Sequence, residues 1–327
     1  MIGAFIHRAI IQGIPLLYGS VGEMITEKAG HLNLGIPGIM YVGAISGVIG
    51  AFLYEQSVPP EAMNAFLAVG IPLFFCIVSS LLMGLLYSFL TVTLHANQNV
   101  TGLAMTVFGT GVGNFFGGSL IKLVKTDMPS IALTQTSAYF RTPLPFAASL
   151  GRVGEIFFSY SAMTYLAIII AIISSIVLFR TRVGLQLRAV GENPATADAA
   201  GINVNRYKYV ATMIGSVIAG LGGLYYIMDY AFGVWSNNGF GDRGWLSIAL
   251  VIFCIWRPHW SILGSILFGG LFIVYNYIPD ISIAQQELIK MLPYVVTIFV
   301  LIFISMKNSH ENQPPAGLGE NYFRENR

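Results

Sequence analysis

The chain has 327 residues, 55% of them hydrophobic and only 10% charged, against roughly 25% charged in an ordinary soluble domain, so a water-soluble globular protein is excluded. Its apolar content suffices for about nine bilayer-spanning helices of about 20 residues each, and long uncharged runs such as 163 to 179 and 294 to 304 exclude an outer-membrane barrel, whose strands alternate apolar and polar over about ten residues. The 17 basic and 15 acidic residues nearly cancel, so net charge carries no information on a nucleic-acid partner, and none is expected for a chain of this class.

Apolar segments fall at 4 to 22, 34 to 54, 65 to 94, 99 to 118, 163 to 180, 209 to 229, 245 to 256, 261 to 279 and 288 to 305. They predict an all-α, polytopic integral membrane bundle of about nine transmembrane segments embedded in the lipid bilayer, some of them broken or re-entrant. The first segment follows Arg8 and has no clean small-residue cleavage site, so it reads as a retained span. Glu23 and Glu27 lie four apart at its end beside Lys28. An interfacial turn is the expectation there, with a cavity-facing pair as the alternative. Pro15, Pro37 and Pro72 sit inside apolar segments, which bilayer helices tolerate where neighbours or cavities satisfy the freed backbone.

Cys76 and Cys254 stand in apolar runs and read as small buried hydrophobes. Gly109, Gly113 and Gly117 recur four apart, a row that lets a second helix approach closely. The stretch 245 to 256 makes only about 18 Å of helix against a hydrocarbon core of about 30 Å. It reads as a tilted half-span or re-entrant piece.

Two hydrophilic stretches, 119 to 162 and 181 to 208, fall on opposite faces because one span separates them. The first holds Lys122, Lys125, Arg141 and Arg152. The second holds Arg182, Arg188, Arg206 and Lys208 with Arg180 at its edge, and this denser basic content marks it as cytoplasmic. The expected organisation is a transmembrane domain over 1–306, with 119–162 as an outer loop and 181–208 as an inner connector, and a cytoplasmic polar tail over 307–327. Counting spans back puts the N-terminus outside. The tail, with Lys307, Pro314, Pro315, Arg324 and Arg327, reads as disordered.

Within the connector, residues 191 to 201 read as a complete short helix. Asn193 suits the N-cap, Pro194 the first helical position, the alanines propagation and Gly201 a left-handed stop. A helix of about 10 Å is marginal alone in water and must pack against something.

Catalytic chemistry is not expected. The chain contains no Gly-Lys dipeptide and hence no phosphate-cradling loop of the Gly-x-x-x-x-Gly-Lys type. His7, His31, His95, His259 and His310 are never within helical reach of one another, so no catalytic residue, metal site or cofactor is assigned. An ion-coupled secondary transporter is the alternative of another class. It needs intramembrane acids, whereas Asp229, Asp242, Asp280 and Glu287 fall near span ends.

Three stretches resemble one family. Gly184-Leu185-Gln186-Leu187-Arg188-Ala189-Val190-Gly191-Glu192-Asn193-Pro194, continuing to Ala200-Gly201-Ile202-Asn203-Val204, is similar to the cytoplasmic loop of permease subunits of bacterial ABC importers for simple sugars and nucleosides. Glu27-Lys28-Ala29-Gly30-His31-Leu32-Asn33-Leu34-Gly35-Ile36-Pro37-Gly38 and Arg257-Pro258 after Ala249-Leu250-Val251-Ile252-Phe253 agree, and the resemblance runs from about 15 to 305. It implies a multi-pass protein of the bacterial inner membrane that forms half of a pore with a second permease subunit, identical or related. It also implies a separate ABC ATPase subunit and an extracytoplasmic substrate-binding protein or lipoprotein as partners.

In such permeases this loop carries a coupling helix seated in the ATPase. The implied coupling residues are Arg188, Gly191, Glu192, Asn193, Pro194, Ala197, Asp198, Ala200 and Gly201. The stretch around Asn33 is closer to the nucleoside branch than to ribose permeases, so nucleosides are the expected cargo, with a simple sugar such as ribose or galactose as the alternative. A neutral nucleoside asks for amide groups and aromatic faces, and Asn33, Asn97, Asn99, Asn114 and Trp245, near span breaks, are the candidate pathway residues.

Overall fold

The computed structural model describes residues 2–124, 130–143, 151, 158–307 and 313–323. Lys125, Arg152, His310, Arg324 and Arg327 lie outside them. Helix α1 (Ile2–Lys28) leads to α2 (Ile36–Ser57), α3 (Ala65–Ser88) and α4 (Gln98–Val124). A short strand β1 (Ser130–Ala132) and α5 (Thr134–Phe140) precede α6 (Ala162–Arg180), α7 (Arg182–Glu192), α8 (Pro194–Ala199) and α9 (Val204–Tyr225). Then come β2 (Val234–Ser236), α10 (Arg243–Phe253), α11 (Pro258–Ile273), α12 (Ile283–Lys290) and α13 (Leu292–Lys307). Helices α3 and α9 end in π-turns, Phe89–Thr93 and Tyr226–Tyr230.

Each predicted apolar segment falls on a helix, and the chain is an all-α membrane protein. Among the described residues, six helical stretches are long and apolar enough to cross a bilayer: α2, α3 with its π-turn, α6, α9 with its π-turn, Pro258–Tyr277 and Ile283–Phe303. Helices α1 and α4 have 27 residues each, about 40 Å. Helix α10 has 11 and reaches about 16 Å, the expected half-span.

Lipid tails are as apolar as leucine, so helices in a bilayer associate through close packing of small residues. That logic builds the core. Helix α1 runs against α9, α10 and α11, and α9 against α2 and α3. A side chain at Gly22 would strike the Gly215 backbone, one at Gly13 that of Ser265, and one at Gly43 that of Gly220. The row on α4 behaves likewise: Gly109 lies on the backbone of Gly38, Gly113 on the ring of Tyr41 and Gly117 on the indole of Trp235. Cys76 and Cys254 are buried, free thiols.

The acidic pair differs from the expected interfacial turn. Glu23 is 0% and Glu27 3% exposed. Glu23 Oε1 accepts the Asn33 N–H at 3.0 Å, and Glu27 accepts from Trp256 Nε1. The pair therefore ties the α1–α2 turn to the α10–α11 turn. Backbone and indole donors replace water at one oxygen of each carboxylate, while Glu23 Oε2 is buried without a hydrogen-bond partner.

Polar loops segregate to two ends. At one, which we call the loop end, β1 pairs antiparallel with β2 in the register Ser130↔Ser236, Ile131↔Trp235 and Ala132↔Val234. There the N–H of Thr136 donates to Glu55 Oε1 at 2.7 Å, and Ser137 Oγ donates to the Met228 carbonyl at 2.8 Å. At the other, the connector end, the α1–α2 turn meets the α3–α4 turn, with Leu32 N–H donating to Gln98 Oε1 at 2.8 Å and Tyr87 OH to the Leu32 carbonyl at 2.5 Å.

The tail, read from composition as disordered, is instead ordered over 313–323 and lies across the connector end. Gly317 N–H donates to the Gly191 carbonyl at 2.9 Å and Gly319 N–H to that of Gly30 at 3.3 Å. Tyr322 OH donates to Asp198 Oδ2 at 2.8 Å, and Asn321 Nδ2 to the His95 carbonyl at 2.7 Å. Gly317 has no side chain to hold off the Gly191 backbone, and Gly319, at φ +83°, takes a turn other residues resist. These contacts satisfy a segment whose composition promised none.

Candidate functional site

One place gathers the implied coupling residues, and a second holds one of the pathway candidates. The first is the connector. Thr181 Oγ1 accepts the Gly184 N–H at 3.1 Å and starts α7. Asn193 Oδ1 accepts the Thr196 N–H at 2.9 Å, Pro194 opens α8, and Gly201 at φ +82° stops it. Six residues of helix survive on their own only by packing, and Ala197, Val190 and Val204 form a small core with Ile202, Tyr207 and Tyr322 against it.

The implied coupling residues therefore divide. Ala197 is buried within that core, and Gly191 is buried against the Lys28 carbonyl, where a Cβ would collide. Glu192, Asn193, Ala200 and Gly201 are exposed, while Arg188, Pro194 and Asp198 are half-buried. Arg188 carries its guanidinium 5.3 Å over the Phe179 ring. The connector thus shows a polar, accessible edge and a buried edge fastened to α1 and α9.

The second place lies at mid-depth. Asn114 is the seventeenth of the 27 residues of α4. It stands level with Tyr41 because α2 begins inside the bundle: Leu34 packs on Gly102, Gly38 on Gly109 and Tyr41 on Gly113. Beyond the π-turn of α9 the chain leaves helical geometry from Phe232 to Asp242, with positive φ at Phe232, Gly233, Asn238 and Gly241. This irregular segment descends beside α4.

Three groups close a ring there. Tyr41 OH donates to Asn114 Oδ1 at 2.6 Å, Asn114 Nδ2 donates to Asn238 Oδ1 at 2.9 Å, and Asn238 N–H donates to Tyr41 OH at 2.8 Å. Behind the ring, buried aromatics brace it. The rings of Tyr41 and Trp235 are 5.1 Å apart, and Tyr226 meets Phe240 edge-on at 5.1 Å. Arg243, the first residue of α10, donates Nη1 to the Phe240 carbonyl at 2.7 Å and lies 4.4 Å over the Tyr226 ring.

In front, Ser236, Asn237, Asn238, Gly239 and Asp242 are exposed. Non-helical backbone and exposed amides at membrane depth are sustained only where they line water or protein. This face can therefore offer amide donors and acceptors to a neutral polar solute, on a scaffold fixed from behind.

The structure brings only Asn114 of the five pathway candidates into this ring. Asn33 is buried at the connector end, where its Oδ1 accepts the Gly35 N–H at 3.0 Å. Asn97 caps α4 by accepting the Val100 N–H at 3.1 Å, and Asn99 is exposed two residues on. Trp245 is half-buried on α10 beside Gly244, which lies on Pro37. Sequence reasoning missed Tyr41, Asn237 and Asn238. The Asn237-Asn238-Gly239 triplet, a turn signal between two apolar segments, was the available hint.

A family model described as a branched-chain amino acid transport system / permease component matches residues 5–301. A nucleoside ABC transporter permease protein of Lactococcus lactis subsp. cremoris is 33% identical over 300 residues, 90% of each chain. A putative glucose ABC transporter permease protein of Haloferax volcanii is 30% identical over 340 residues, 98% of this chain and 97% of that one. A guanosine ABC transporter permease protein of Bacillus subtilis is 27% identical over 309 residues, 92% of each chain.

Proposed function

The chain belongs to the permease-component family of branched-chain amino acid transport systems, and on that premise we propose that this multi-pass transport subunit forms half of an ABC importer's path for nucleosides. The observation that carries the reading is the exposed amide face built on the Tyr41–Asn114–Asn238 ring. Its hydrogen-bonding groups are amides, the Ser236 hydroxyl and backbone, with one carboxylate, Asp242, at its margin, a set that suits a neutral solute with many hydroxyl and ring-nitrogen groups. The names of the Lactococcus and Bacillus relatives favour the same cargo. The name of the Haloferax relative favours a sugar, the second reading.

The drive is a separate ATPase, since this chain has no phosphate-cradling loop. The exposed edge of α8 is its docking point, with Glu192, Asn193, Ala200 and Gly201 as contacts and Ala197, Gly191 and Asp198 holding the edge in place. The connector end, with the tail, is cytoplasmic, and the loop end faces the binding protein. A second permease, identical or related, closes the path opposite the amide face.

Sided thiol labelling tests this placement. In a background of Cys76→Ala and Cys254→Ala, an impermeant reagent is expected to label Gln135→Cys from outside and Thr196→Cys only after permeabilisation. It should also reach Ser236→Cys, and saturating nucleoside should slow that reaction. Silence at Ser236→Cys in the intact complex would mean that the amide face is sealed against protein or lipid, and the reverse sidedness would invert the coupling scheme.

A further inference from the structure

The ordered tail crosses a gap that the bundle leaves open. A cavity of about 380 Å³ is lined by Asp198, Gly201, Ile202 and Asn203 from the connector, His95 from the α3–α4 turn and Tyr322 from the tail. Helix α8 thus stands off from the start of α4, the helix that carries Asn114 of the amide ring.

Two neighbouring tail residues reach in opposite directions across that gap. Tyr322 OH donates to Asp198 Oδ2 on α8 at 2.8 Å, and the Tyr322 ring packs on the core of Val190, Ala197 and Val204. The same side is held by Ala316 N–H, which donates to Glu192 Oε2 at 3.1 Å. On the other side Asn321 Nδ2 donates to the carbonyls of His95 at 2.7 Å and Ala96 at 3.3 Å. Gln98, the first residue of α4, donates Nε2 to the Glu320 carbonyl at 3.1 Å while its Oε1 accepts the Leu32 N–H. His95 sits at φ 53°, a conformation that a residue with a side chain keeps only where its surroundings secure it. The Phe323 ring, 4.5 Å from the imidazole, adds to that hold.

Consecutive Cα atoms stay about 3.8 Å apart, so Asn321 and Tyr322 cannot separate. A displacement of α8 must therefore pass to the α3–α4 turn or break one of these hydrogen bonds. We propose that the tail is the link through which α8 moves α4, with Asn321 and Tyr322 as its positioning residues. Motion imposed on the connector by the ATPase reaches the Tyr41–Asn114–Asn238 ring through Gln98 and the unbroken 27-residue helix α4. The inference rests on α8 being the docking point of the ATPase.

The test uses the complete complex in liposomes and reads labelled guanosine taken up per ATP hydrolysed, at matched protein levels. Asn321→Ala frees the His95 and Ala96 carbonyls and is expected to lower that ratio about fivefold, the share of roughly one hydrogen bond. Tyr322→Phe keeps the ring in its core, loses only the hydroxyl and should lower it by a similar factor. The double variant should lose no more than the worse single variant, because links in series fail once, whereas independent supports add their losses. Hydrolysis and co-purification of the ATPase should stay near wild type in all three. A wild-type ratio in the double variant overturns the proposal. So do additive losses accompanied by loss of the ATPase on purification, which reduce the tail to a support for α8. Ala200→Asp in the same assay separates the two readings: normal coupling there removes the docking point and the link with it, whereas uncoupling there beside a normal double variant removes the link alone.

Discussion

Asn114→Leu is expected to reduce ATP-driven nucleoside uptake by the reconstituted complex at least about tenfold while the protein still inserts and assembles. Asn114 is the only member of the ring that accepts from Tyr41 and donates to Asn238. Leucine occupies a similar volume but leaves the buried Tyr41 hydroxyl without its acceptor, while the exposed Asn238 Oδ1 turns to water. An unmet group costs about 1 to 3 kcal/mol, and about 1.4 kcal/mol is a factor of ten. The loop holding Asn238 at φ 59° then loses its anchor to α4, and the amide face no longer presents one geometry. Asn97→Ala supplies the contrast. It removes a helix cap at the connector end, costing about 1 kcal/mol of stability, and uptake should stay near wild type. Equal losses in the two variants, measured at matched protein levels, would remove the special status of the ring.

The second large effect belongs to the connector. Ala200→Asp places a charge on the exposed edge of α8, so the helix itself should persist. ATP hydrolysis by the complex is expected to continue while uptake falls to background. Ala197→Asp should fail differently, because that side chain is 3% exposed and packs with Val190 and Val204. A carboxylate buried there without a partner costs several kcal/mol. The connector should unpack and the ATPase should not co-purify. Normal coupling in Ala200→Asp would move the docking point away from α8.

What the sequence revealed and what it hid divide along one physical line. Local signals were legible: Asn193, Pro194 and Gly201 announce α8 because capping is read from neighbours in the chain, and the shortness of 245 to 256 announces the half-span α10. The glycine row on α4 was legible as a packing face, although not which partner each glycine meets. The ring was not legible. Tyr41, Asn114 and Asn238 are brought together from α2, α4 and an irregular loop, and no period links them. Asn33 and Asn97 looked equivalent to Asn114 because an asparagine that caps a turn and one that faces a path have the same composition. The tail was misread for a related reason: low hydrophobicity predicts disorder, whereas Gly317 and Gly319 order it through backbone contacts with Gly191 and Gly30.

The most direct measurement is uptake by the complete complex in liposomes, comparing labelled guanosine and uridine with labelled ribose and glucose, with and without ATP inside. The account predicts that nucleosides accumulate only with ATP and that the sugars do not. Sugar accumulation without nucleoside uptake would contradict the cargo, and nucleoside uptake that persists without ATP or follows an imposed ion gradient would contradict the whole transport scheme.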